Sequence, residues 1–125
     1  MQYLRAWNDY PITEIRAARC VCGKAVFALI HAGDAGGAMR ICVACKREHL
    51  IGDSGEYWDD AEAAECACPC GNETFEVAAG FAFYADSKDV RWIYIGLRCT
   101  RCEQSGVYVD WKIDYAPSHQ LLDQV

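Results

Sequence analysis

The chain has 125 residues, and its 18 Asp and Glu against 12 Lys and Arg give a formal net charge of −6 at pH 7. This acidity disfavours general binding to nucleic acid, because affinity for a phosphate backbone depends mainly on lysine and arginine. No apolar run reaches the roughly 18 residues of a membrane span, so we expect no membrane-spanning helix.

The first residues predict an added strand and no targeting signal. Residues 2–7 alternate in character, and a turn over residues 8–11 follows. Because the stretch from Met1 to Trp7 lacks the apolar core of a signal peptide, we expect a cytoplasmic protein.

Eight of the nine cysteines form two copies of one pattern, in which a close pair is followed by a gap and a second close pair. Each copy therefore offers the ligand number and layout of a tetrahedral four-cysteine zinc site. We predict two structural zinc ions. The predicted ligands are Cys20, Cys22, Cys42 and Cys45 in the first copy, and Cys68, Cys70, Cys99 and Cys102 in the second.

The duplication extends beyond the cysteines. Gly23 and Gly71 follow the first pair of each copy, where positive φ lets the chain turn around a metal. After the second pair, each copy continues into an apolar stretch that ends in an acidic residue, Asp53 or Asp110. A repeat with ligands at matching places is much harder to obtain by chance than a single C-x-x-C motif.

Each gap between cysteine pairs predicts a β-hairpin. In the first copy the arms are residues 25–31 and 38–41, and in the second they are 74–84 and 90–95. The arms are rich in β-branched and aromatic residues and are separated by turn formers.

A further strand is predicted at residues 107–114, where apolar and polar residues alternate more regularly than anywhere else in the chain. The apolar face of this strand consists of Val107, Val109, Trp111 and Ile113. We expect residues 118–125 to form a short helix or a tail.

The cysteine motifs carry a resemblance to known proteins. Cys42/Cys45 and Cys99/Cys102 keep the C-x-x-C spacing of rubredoxin-like knuckles, while the first pair of each copy has the shorter C-x-C spacing. On these motifs the chain resembles the zinc-ribbon families over residues 14–53 and 62–114.

The resemblance implies a mainly β protein, with a small metal-stabilised α+β fold as the alternative. Two tandem zinc ribbons would pack into one compact unit, and we expect their sheets to bury Trp92, Tyr94 and Trp111 between them. The expected division is an N-terminal ribbon with an added strand at 1–55, an acidic connector at 56–65, and a C-terminal ribbon with a tail at 66–125.

Other uses of the thiols remain open at this level. The same cysteines could form redox-active pairs, and iron could replace zinc in a four-sulfur site. Cys66, the odd cysteine, is either a buried core residue, a spare ligand or a replacement for Cys68.

We expect a protein that is not an enzyme. A catalytic zinc keeps one coordination position for water, whereas four cysteines close the site. The sequence also lacks a phosphate-binding glycine loop and an H-E-x-x-H motif.

The acidic connector is the candidate contact for a basic protein partner. Tyr57 and Trp58 would be aromatic anchors beside Asp59 and Asp60, although such a stretch can equally be a solvated linker. The sharpest functional hypothesis is a small acidic immunity or inhibitor protein that neutralises a basic effector such as a nuclease toxin.

The alternative function is a nucleic-acid-associated, transcription-type ribbon. Arg16, Arg19, Lys46 and Arg47 lie near the first set of cysteines and would form a basic face. Compensation of thiolate charge explains the same cations more simply, so nucleic acid is the less favoured partner.

Overall fold

A computed structural model describes residues 12, 14–31, 37–54, 58, 63–85, 88–113 and 117–125. In this part of the chain the protein is mainly β and has no α-helix, which confirms the predicted fold class. The strand predicted at residues 2–7 lies outside the described residues.

The described residues form eight strands and one short helix. The strands are β1 (Glu14–Ala17), β2 (Phe27–His31), β3 (Ala38–Cys42), β4 (Glu48–Leu50), β5 (Ala64–Glu65), β6 (Phe75–Phe83), β7 (Val90–Cys99) and β8 (Ser105–Lys112), and a 3-10 helix spans His119–Asp123. The predicted hairpins are confirmed as β2–β3 and β6–β7. Both begin and end close to cysteines, so the hairpins are what bring the thiols together.

The two repeats join edge to edge in one antiparallel sheet. Its strand order is β4-β3-β2-β6-β7-β8, so each repeat contributes three neighbouring strands. The repeats meet where β2 and β6 begin, at the pair Phe27 and Phe75. The two phenylalanine side chains are 0% and 1% exposed, which places the junction in the centre of the core.

The leading strand of each repeat pairs with the other repeat. β1 lies against β6, with Ala17 opposite Ala78, and β5 lies against β2, with Glu65 opposite Ile30. These pairs are equivalent, because Ala17 and Glu65 hold matching places before the first cysteine of their repeats. The two repeats are therefore interlocked.

One large core runs through both repeats and includes cysteines of both clusters. A smaller cluster on the opposite face of the sheet contains Tyr94, with Trp92 packed against it, while Trp111 belongs to the large core. The expectation that these three aromatic residues are buried together between two sheets is therefore wrong, because the sheets join at their edges.

A bulge changes the face of the last strand. Val109 pairs with Ile95 but Val107 pairs with Gly96, so Tyr108 is the extra residue. The predicted apolar face is confirmed for Val109, Trp111 and Ile113, which contact the large core. It is wrong for Val107, which the bulge turns to the smaller cluster.

The segment after β8 packs against the first repeat. Leu121 and Leu122 of the 3-10 helix are buried in the large core. The carbonyl of Gln124 accepts a hydrogen bond of 2.8 Å from the amide of Gly52, and the carbonyl of Val125 accepts one of 2.7 Å from Arg40 Nε. The end of the second repeat thus supports the strand that leads into Cys42.

We expect Phe75→Ala to lower the free energy of unfolding by about 3–5 kcal/mol, because it removes a fully buried ring at the junction of the repeats. Chemical denaturation monitored by circular dichroism measures this change. Val21→Ala is the control, since Val21 is 80% exposed and its truncation should change stability by less than about 0.5 kcal/mol. Equal effects of the two changes would contradict the placement of Phe75.

Candidate metal centres

Each group of four cysteines lies at one end of a hairpin. Cys42 is the last residue of β3 and Cys99 the last of β7, and they pair across the ladder with Phe27 and Phe75, the first residues of β2 and β6. The cysteines that precede β2 and β6 therefore come back to those that end β3 and β7. The antiparallel register of the hairpin is what makes two distant pairs converge.

The sulfur atoms are close enough to bind one metal ion in each group. In the first group the Sγ atoms of Cys20 and Cys45 are 3.5 Å apart and those of Cys22 and Cys42 are 3.6 Å apart. The four candidate ligand atoms of each group lie within 4.8 Å of one another.

The second group has the same arrangement. The Sγ atoms of Cys68 and Cys102 are 3.4 Å apart, and those of Cys70 and Cys99 are 3.6 Å apart. A tetrahedral zinc ion with bonds of about 2.3 Å places its sulfurs about 3.8 Å from one another. A disulfide needs about 2.05 Å, and all nine cysteines are free thiols, so the spacing fits a metal and not a bridge.

The shorter C-x-C pairs form a regular turn. The amide of Cys20 donates to the carbonyl of Lys24 at 2.8 Å, and the amide of Gly23 donates back to Cys20 at 2.9 Å. Cys68, Asn72 and Gly71 repeat both bonds at 2.8 Å. The two glycines have φ of +93° and +97°, as the turn requires.

The C-x-x-C pairs carry a long side chain at the next position. Lys46 and Glu103 follow the last cysteine of each group with φ of 66° and 64°, in the left-handed region that favours glycine. Their amides donate to the carbonyls of Cys42 and Cys99, which closes the second turn.

Backbone amides favour the thiolate at the cysteine that ends each hairpin. Hydrogen bonds from the amides of Cys45 and Ala44 lower the pKa of Cys42 to about 6, against the effect of burial. Burial alone would raise the pKa of Cys99, but donors from Cys102, Asn72 and Arg101 outweigh it and lower the pKa to about 5. The thiolate is the form of cysteine that binds metal, so both positions are prepared as ligands.

The two groups differ in their polar neighbours. The first is accompanied by the buried Arg40, whose pKa is lowered by burial while the negative charges of Cys20 and Cys42 oppose that shift. Arg40 also donates to carbonyls of Val125 and Arg19 and lies 4.7 Å from the ring of Phe27. It compensates thiolate charge from inside the core.

The second group is stabilised by a neutral side chain. Asn72 donates from Nδ2 to the Sγ of Cys99 at 3.2 Å and to the carbonyl of Thr74 at 2.8 Å. It also donates to the hydroxyl of Thr100 at 3.0 Å. Sequence reasoning missed this role, although the place of Asn72 directly after the knuckle glycine, equivalent to Lys24, was a usable signal.

Cys66 lies outside both groups of four. Its amide donates to the carbonyl of Leu29 at 2.9 Å, and the amide of Ala18 donates to that of Val77 at 2.8 Å, so the two residues hold equivalent positions directly after β5 and β1. Burial raises the pKa of the Cys66 thiol to about 11. Of the alternatives for Cys66, the structure supports the core residue and assigns Cys68 to the second group.

The predicted partner-binding residues are described only in part. Trp58 is half-buried, whereas Tyr57, Asp59 and Asp60 lie outside the described residues. Asp53, which precedes the acidic connector, is buried and accepts a 2.9 Å hydrogen bond from Trp111 Nε1. Asp53 therefore stabilises the core through this hydrogen bond and is not part of a contact surface.

The basic residues near the first group are not equivalent. Arg16 pairs with Glu14 at 2.7 Å on β1, and Arg40 is buried. Arg19, Lys46 and Arg47 are exposed around the cysteines. The predicted basic face thus keeps three of its four residues.

A shallow depression of about 280 Å³ lies beside the second group. Its polar wall is the ion-paired set of Arg98 with Glu76 at 3.5 Å and Glu103 at 3.0 Å. The charges of this wall are therefore satisfied within the protein.

The chain matches no family model and has no significant match among curated proteins or solved structures. Within the described residues, no helix is long and apolar enough to cross a membrane. The fold and the two groups of thiols define a mainly β protein with two candidate four-cysteine metal sites.

We expect Cys66→Ala to bind as much metal as the unchanged protein, because alanine already occupies the equivalent position at Ala18. Cys68→Ser, which removes one of the four converging sulfurs, should lower the metal content of the second site. Native mass spectrometry gives the metal count of both variants. Loss of a metal ion in Cys66→Ala would show that this thiol is a ligand.

Proposed function

We propose that this chain is a zinc-ribbon protein with two structural zinc ions and that it acts without catalysis, by binding another protein. The observation that carries the metal assignment is the convergence of eight thiols into two groups of four. Four sulfur ligands in tetrahedral spacing are the arrangement of structural zinc, in which metal binding contributes directly to folding.

The non-catalytic role rests on the ligand count. A zinc ion held by four thiolates has no position for water or substrate, so it cannot activate a nucleophile. What remains for such a protein is to present a rigid surface. We therefore assign the metal ions to the fold and the activity to binding.

The charge of the chain supports a basic partner. Each zinc with four thiolates adds −2, so two sites would bring the formal charge from −6 to −10. Such a field speeds encounter with a cationic protein and discriminates against acidic ones. The most specific form of the proposal is an immunity or inhibitor protein for a basic effector, with Tyr57, Trp58, Asp59 and Asp60 as the contact.

The zinc proposal is tested on protein purified without added metal. We expect two zinc ions per chain at pH 7 by native mass spectrometry and one slowly reacting thiol, that of the buried Cys66. Because the thiolate and not the thiol binds metal, protons compete with the metal for the sulfurs, and metal should be released as the pH falls. A colorimetric chelator measures this release. Protein that holds no metal and carries disulfides would contradict the proposal.

The partner proposal is tested by changing the predicted contact. A basic protein is captured from extract of the source cells, identified, and titrated by calorimetry against Tyr57→Ala, Trp58→Ala, Asp59→Asn and Asp60→Asn combined. We expect affinity to fall at least about 30-fold, since a single buried aromatic anchor is worth about 2 kcal/mol. The control is Tyr108→Ala with Glu73→Gln and Asp123→Asn, which makes the same change in net charge and removes one aromatic ring at exposed positions outside the connector. Unchanged affinity in the first variant would refute this contact.

A further inference from the structure

The two cysteine groups have the same backbone path, but the exposed side chains around them differ in charge. Residues 19–24 and 43–47, which we call the first tip, correspond position by position to residues 67–72 and 100–104, the second tip. Lys24, Lys46 and Arg47 of the first tip are replaced in the second by Asn72, Glu103 and Gln104, and Arg19 is replaced by Ala67. The first tip therefore carries four exposed cations, whereas only Arg101 is basic in the second.

The four cations of the first tip form no ion pair among the described residues, although Arg19 Nη1 donates to the carbonyl of Gly23 at 3.5 Å. Among the described residues, the ion pairs join Arg16 with Glu14 and Arg98 with Glu76 and Glu103. Arg19, Lys24, Lys46 and Arg47 have no carboxylate partner in the part of the chain that the structure describes.

Compensation of the thiolates does not explain these cations. Arg40 already supplies a positive charge to the first group from inside the core. The second group has the same four thiols with Leu97 at the position of Arg40 and Ala67 at that of Arg19. The second repeat therefore forms a four-cysteine site without these cations, so charge compensation does not account for the exposed cations of the first tip.

A further feature indicates that the first tip is a contact surface. Val21, between the first two cysteines, is 80% exposed, the largest exposed fraction among the large apolar side chains described.

We propose that the first tip binds the phosphodiester backbone of double-stranded nucleic acid, without reading its sequence. A row of phosphates is the ligand that unpaired Lys and Arg recognise, and a duplex carries one charge per about 1.7 Å. Residues 19–24 and 43–47 contain no aromatic residue on which unpaired bases could stack, which favours a duplex over a single strand.

The acidity of the rest of the molecule opposes any anionic partner, so the first tip alone must supply the attraction. An acidic polypeptide has a lower charge density than a duplex and releases fewer counterions to offset this repulsion. Counterion release from a duplex drives binding at low salt even when the net charges of the partners have the same sign. This inference goes beyond the proposed protein-binding function and does not depend on it, because it concerns a different surface.

The experiment is a fluorescence anisotropy titration of the zinc-loaded full chain against a labelled 20-base-pair DNA duplex. The tip variant is Lys24→Asn, Lys46→Glu and Arg47→Gln, which installs the residues of the second tip. The matched control is Lys88→Asn, Lys112→Glu and Arg101→Gln, which changes the net charge equally at exposed positions outside the first tip. Native mass spectrometry confirms that both variants keep the metal content of the unchanged protein.

Four phosphate contacts predict a slope of about −3.6 for log K against log salt concentration, or roughly 150-fold weaker binding between 50 and 200 mM salt. In the tip variant we expect a slope near −1 and affinity at least about 100-fold lower at 50 mM salt. The control should stay within about fivefold of the unchanged protein.

Four results would overturn the proposal. They are the absence of duplex binding at 50 mM salt, equal losses in the tip variant and the control, tighter binding to a 20-base single strand, and binding to polyglutamate as tight as to the duplex. The last result would assign the surface to an acidic polypeptide. None of these results bears on the zinc count or on a partner of the acidic connector, so the two proposals fail separately.

Discussion

The convergence of four thiols at the end of each hairpin is the constraint on which the rest of the structure depends. Two cysteines before the first strand and two at the end of the second can meet only if the hairpin returns in the register that pairs Phe27 with Cys42 and Phe75 with Cys99. Amide donors at the turns then favour thiolates at Cys42 and Cys99. The hairpins, the turns and the ligand chemistry therefore support one another.

The exchange of leading strands ties the two sites into one unit. β1, which leads to the first cysteine group, pairs with β6 of the second repeat. β5, which leads to the second cysteine group, pairs with β2 of the first repeat. The amides of Ala18 and Cys66, just before Cys20 and Cys68, are anchored on the partner repeat. A change in one hairpin therefore also affects the segments that lead to both cysteine groups. The core that the two repeats share couples the groups in the same way.

The same backbone has acquired two different surfaces. The first site is compensated by the buried Arg40, and its exposed cations form no ion pair within the described residues. The second site uses the neutral Asn72 and an ion-paired rim around Arg98. Because the backbone and the ligands are common to both, the two copies differ in the charge of their side chains and not in the path of the chain. The result is an acidic molecule with one basic tip.

The sequence by itself determined the duplication, the mainly β class, the hairpins and the membership of the two cysteine groups. These features can be predicted from local spacing, because a close thiol pair, a turn glycine and the alternation of a strand each depend on a short segment of sequence. Only the tertiary structure decided that the repeats join at their edges and that β1 and β5 each pair with the other repeat. It decided further that a β-bulge at Tyr108 turns Val107 away from the large core, and that Asp53 accepts a hydrogen bond from Trp111. It also decided that Cys66 is a core residue, equivalent to Ala18. Pairing between distant strands depends on which edges are left open once the hairpins have formed, and no local pattern of residues records that choice.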